Sequence, residues 1–102
     1  MVKTMSFALI FMKIIMKPIE MISWSTIDGA LTPLRFRINE KKENPEVSDI
    51  IVKVNKILLK KQEKLAGKKT IIYRCQSMIN ETEKIYELKY EVQSCRWFLY
   101  KI

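Results

Sequence analysis

The sequence predicts an all-β fold: a small antiparallel sheet of five or six strands, partly closed into a barrel. Three observations carry that expectation. Between Ile71 and Val92, apolar and polar residues alternate at period two, the mark of half-buried strands. An Asp28–Gly29 pair separates two β-prone runs, and Gly takes a positive φ without strain. The run over residues 96–102 is partly apolar on both faces, as in a strand that closes a small barrel.

The elements follow in chain order. Residues 19–24 and 34–38 read as two strands joined through residues 26–33. In the second, Leu34, Phe36 and Ile38 share one face, and Arg35 and Arg37 share the other. Residues 39–49 are charged, contain Asn44–Pro45 and read as a loop. Residues 50–66 fit two patterns. Ile50, Ile51, Val54, Ile57, Leu58 and Leu65 suit an amphipathic helix capped by Ser48 and stopped by Gly67, whereas the β-branched run at 50–54 favours a strand. Residues 60–69 hold five lysines and read as a turn if 50–59 is a strand. Three further strands cover 71–79, 85–92 and 96–102, with turns near 80–83 and 92–95.

At 102 residues there is room for one domain with one modest core. We place it at residues 16–102, behind an apolar N-terminal extension at 1–15 whose start codon is read as misassigned. A signal peptide, a membrane span and a surface-bound amphipathic helix compete for that extension. No small-residue cleavage site follows it, and Lys13, Lys17, Pro18 and Glu20 interrupt any span.

The net charge of +8 and pI near 9.6 favour a polyanionic partner: nucleic acid, an acidic protein or an anionic surface. The plainer reading is a basic but solvated surface. The chain has no His, hence neither the commonest general base nor the commonest metal ligand. Gly29 and Gly67 fit no phosphate-binding loop. Cys75 and Cys95 are too few for a zinc site, and the strand reading separates them too widely for a disulfide. Free thiols imply a reducing, cytoplasmic setting. We therefore expect no cofactor, no metal, no membrane span and no enzymatic activity. The carboxylates Glu81, Glu83, Glu87 and Glu91 sit near one another, but Glu87 and Glu91 point outward on a strand and are expected to be solvated.

Two binding readings remain. In the first, Arg35, Arg37, Lys53 and Arg74 occupy the outward face of three strands, beside a loop with Lys60, Lys61, Lys64, Lys68 and Lys69. Such a face tracks phosphates, with Trp97 or Tyr73 available to stack bases. The partner is nucleic acid or a DNA-processing protein. In the second, the domain binds a protein and not nucleic acid. The strand at 19–24 would be a sheet edge, with Trp24 and Trp97 as anchors unless the core holds both indoles.

Taken together, Trp24, Asp28–Gly29, the Pro-Leu-Arg-Phe-Arg-Ile run at 33–38, Lys-Leu-Ala-Gly at 64–67, Arg-Cys-Gln-Ser at 74–77, Tyr-Glu-Leu-Lys-Tyr at 86–90 and Cys-Arg-Trp-Phe-Leu-Tyr-Lys at 95–101 resemble a family of small uncharacterised proteins of Gram-positive bacteria. They are also distantly similar to short domains encoded beside Y-family DNA polymerases. The resemblance covers residues 16–102. It implies a compact barrel-like domain, which favours strand over helix at 50–59, and carries no catalytic residue across.

Overall fold

The computed structural model of the chain describes residues 12–38 and 49–102. The first eleven residues of the expected extension and residues 39–48 of the expected loop lie outside them. Among the described residues there are seven strands: β1 (Ile14–Ser25), β2 (Leu31–Ile38), β3 (Ile50–Lys53), β4 (Lys56–Leu65), β5 (Lys68–Ile79), β6 (Thr82–Glu91) and β7 (Arg96–Lys101). They form one sheet in the order β3-β2-β1-β7-β6-β5-β4, with every neighbouring pair antiparallel. No helix among the described residues is long and apolar enough to cross a membrane.

The two end strands of this sheet are consecutive in the chain. Only Val54 and Asn55 separate β3 from β4, so the two edges lie within about 11 Å there. The sheet must curl to bring them together, and the result is a half-barrel. At the junction the chain changes partners. Val54 N–H donates to the Leu34 carbonyl at 2.9 Å, and Asn55 N–H donates to the Gln76 carbonyl at 3.2 Å. The Asn55 side-chain carbonyl also accepts from Met78 N–H at 2.8 Å. The run expected as one strand at 50–59 is therefore two.

Each hairpin follows from its turn residues. Gly29 has φ +90°, and Thr26 closes the β1–β2 turn through Ala30 N–H to Thr26 Oγ1 at 2.9 Å. Ala66 and Gly67, at φ 52° and 79°, form the β4–β5 turn. Two successive positive φ values match the hairpin turn whose twist suits flanking strands. The lysines of 60–69 are thus not in a loop: β4 runs to Leu65 and β5 starts at Lys68. Asn80 and Glu81 turn β5 into β6 with φ 49° and 62°. This turn sets Cys75 opposite Tyr86, and on the next strand pair Leu88 faces Leu99.

The inner face packs Phe36, Ile38, Val52, Ile71, Tyr73, Cys75, Tyr86, Leu88, Trp97 and Leu99 into one core. Leu34 does not join them. Ile22 pairs with Arg35 and Ser23 with Pro33, so Leu34 is an extra residue that shifts the alternation of β2. Pro33 is buried in its place and Leu34 is partly exposed. Strand β1 lies inside the sheet, between β2 and β7, and is not an edge. It begins at Ile14, ahead of the expected domain start, and Lys13 and Ile102 exchange backbone hydrogen bonds at 2.8 and 3.0 Å.

Polar groups in the core find partners. Ser77 and Tyr86, both fully buried, share a hydroxyl–hydroxyl bond, and Tyr73 Oη donates to the Leu31 carbonyl. Burial pushes the Tyr73 phenol and the Cys75 thiol each up to about 12, and raises Tyr86 further. In each the folded value lies above the unfolded one. Their contribution to stability is whole below about pH 9 and is lost as pH climbs toward 12. Urea midpoints should therefore be flat from pH 7 to 9 and fall steeply above pH 10. Leu88→Ala, which empties the centre of the core, should cost about 2–5 kcal/mol in the same titration.

Candidate binding surfaces

The outer face of β1–β3 collects three of the expected cations. Arg35 sits between Ile22 of β1 and Lys53 of β3, and Arg37 sits between Glu20 and Ile51. The two arginines differ in state. Arg37 is held by Glu20 through its Nε, at 2.7 Å, and through Nη2, and lies 3.6 Å from Asp49. The Glu20 carboxylate raises the pKa of that guanidinium. Arg35 and Lys53 form no salt bridge among the described residues. Around them the face is apolar: Ile22, Trp24 and Ile51 are 62%, 63% and 63% exposed. Trp24 follows Glu20 and Ile22 on the same side of β1. A shallow depression is lined in part by Glu20, Ile22, Arg35, Arg37 and Ile51.

Arg74 belongs elsewhere. Its Nε and Nη2 donate to Glu87 Oε2 at 3.0 and 2.9 Å, and Lys101 Nζ approaches Glu87 Oε1 at 4.0 Å. Glu87, expected in solvent, is only 4% exposed. It lies on the outer face, where Ile72 and Phe98 are also buried. A carboxylate removed from water needs charged partners, and Arg74 and Lys101 supply them. Arg74 therefore anchors the outer face and does not extend the β2–β3 cations.

The five remaining lysines lie on the β4–β5 hairpin, divided between its faces. Lys64 is opposite Lys69, and Lys60 shares their side; Lys61 and Lys68 point the other way. Lys60 Nζ stands 5.6 Å from the centre of the Tyr73 ring, and Lys61 pairs with Glu63 at 3.4 Å. The tip of this hairpin lies about 30 Å along β4 from the junction beside Lys53. The expected single basic face is thus two separate cationic groups plus one structural arginine.

The expected stacking rings are in the core. Tyr73 is 1% and Trp97 7% exposed, and the two rings pack with centroids 5.5 Å apart. Trp24 is the exposed indole. Its direction was readable from Glu20, since a strand that turns Glu20 outward also turns Ile22 and Trp24 outward. The exposure of Ile51 was not readable, because it depends on the pairing of β3 with Arg37.

Cys75 is buried and Cys95 exposed, and neither is in a disulfide. No group of three or more His, Cys, Asp or Glu residues able to hold a metal occurs among the described residues. No family model, no curated protein and no solved structure matches the chain.

Two outcomes test these assignments. Glu87→Ala leaves Arg74 and Lys101 without their shared partner and should lower the unfolding free energy by about 3 kcal/mol, the lower end for a broken buried pair because Arg74 keeps some solvent. A thiol reagent should label Cys95 alone in the native protein, and both cysteines in denaturant.

Proposed function

We propose that this protein is a small non-catalytic binding module that docks on a protein partner through the outer face of β1–β3. One observation carries the reading: Ile22, Trp24 and Ile51, all more than half exposed, surround Arg35 on a face that contributes nothing to the core. Exposed apolar clusters mark interaction sites, and Trp and Arg carry much of the energy of interfaces. Arg35 and Lys53 favour a partner with carboxylates at the margin of its own apolar patch.

Nucleic acid is the second reading. Arg35, Lys53 and the exposed Trp24 favour it through phosphate contact and base stacking. Glu20 and Asp49 on the same face disfavour phosphate, and Ile22 and Ile51 offer it nothing. The unpaired thiols of Cys75 and Cys95 support a cytoplasmic setting.

A photocrosslinking residue at position 24, used in cells, identifies what covers this face. We expect protein adducts, and a Trp24→Ala variant that binds the captured partner at least 30-fold more weakly, about 2 kcal/mol, while its own stability changes by less than about 0.5 kcal/mol. Fluorescence anisotropy with labelled single- and double-stranded oligonucleotides supplies the opposing arm. Saturable, salt-sensitive binding that Arg35→Ala weakens, together with unchanged partner binding by Trp24→Ala, would overturn the protein reading.

A further inference from the structure

We propose that the free edge of β4 takes an acidic, extended segment of a partner protein as an added strand. This site is separate from the Trp24 face and does not depend on it.

Strand β4 stands at one end of the sheet order and pairs only with β5 among the described residues. It is ten residues long, and all but Ile57 and Leu58 are exposed. Every second residue of such a strand turns its N–H and C=O away from the sheet, which leaves a row of backbone donors and acceptors for another chain. The opposite edge, β3, spans only four residues.

The side chains select what approaches. Lys60, Gln62 and Lys64 face one way, and Lys69 lies directly across from Lys64. Lys60, Lys64, Lys68 and Lys69 have no salt bridge among the described residues. Lys64 and Lys69, directly opposite each other, repel across the hairpin, and an acidic neighbour relieves that repulsion. Residues on one face of a strand recur every ~6.6 Å, so carboxylates at alternate positions of an added strand meet both Lys60 and Lys64. On the other face Leu59 and Leu65, 44% and 81% exposed, await apolar cover.

Two other occupants fit less well. A second copy, paired antiparallel about Gln62, sets Lys60 against Lys64 of that copy twice over, the repulsion by which edge lysines prevent self-association. Nucleic acid uses the ammonium groups but leaves the β4 edge carbonyls without donors from its phosphates and the two leucines uncovered. The hairpin also presents no exposed aromatic ring to a base.

The test is a titration of the isotope-labelled full chain with a capped peptide alternating Glu and Val, matched in length to β4. Backbone amide shifts should concentrate on Lys56–Leu65, with slower hydrogen exchange at every second residue. Lys60→Glu with Lys64→Glu should weaken binding about tenfold and create affinity for a peptide alternating Lys and Val. A Glu–Val peptide N-methylated at alternate residues keeps its charge but loses the backbone donors on one edge. It should bind at least tenfold more weakly. Equal binding by the methylated peptide, shifts centred on another element, displacement of the peptide by an oligonucleotide of equal charge, or peptide-independent dimers formed through β4 would each overturn the proposal. Because Lys60 and Lys64 lie outside the Trp24 face, any of these leaves the docking role of that face standing.

Discussion

The architecture depends on the two-residue junction at Val54–Asn55. A seven-stranded sheet whose first and last strands are joined by two residues has no open, flat conformation available. Its edges are held together at one corner, and its twist carries the remaining strands into a half-barrel. Asn55 secures the corner from both sides of its peptide. Its N–H reaches Gln76, and its side chain caps Met78 N–H, a group that would otherwise lack a β4 partner. One polar residue thus satisfies the backbone where the chain leaves β2 and joins β5.

Curling sorts the side chains. The inner face becomes a single aromatic-rich core, in which Phe36 meets Tyr86 edge-on at 5.6 Å and Trp97 lies between Tyr73 and Tyr90. Ser77 and Tyr86 bring hydroxyls into that core without leaving either unsatisfied. The outer face of β5–β7 is buried too, at Ile72, Phe98 and Glu87. There the long side chains provide cover: Lys89 lies 4.0 Å from the Tyr100 ring centre, and Arg96 lies 5.4 Å from that of Phe98. Several cations that add to the net charge are therefore engaged in holding this surface together.

What remains for binding is divided between two regions of different character. The β1–β3 face mixes bulky apolar groups with Arg35 and Lys53, which suits a partner that excludes water. The β4–β5 hairpin is a row of lysines along an unpaired strand edge, which suits a partner that brings carboxylates and its own backbone. Net charge alone does not separate these. It describes the sum over a surface, whereas recognition depends on which cations are already paired and what lies beside them.

Several features were legible in the residues themselves. Alternation at period two identified the strands of the last third, because burial on one face imposes it locally. Asp28–Gly29 marked its turn through the φ that Gly permits, and the burial of Cys75 followed from its neighbours Ile71 and Tyr73 on the same face. Long-range pairing was not legible. Whether residues 50–59 form one strand or two depends on Val54 finding Leu34 while Asn55 finds Gln76, contacts twenty or more residues away in sequence. The bulge at Leu34, the burial of Glu87 with Arg74 and Lys101, and the exposure of Ile51 all arise from register between strands. The sequence by itself determined that the chain is β, basic and without histidine. Only the tertiary structure decided which of its cations are free, because pairing joins residues whose proximity no local pattern encodes.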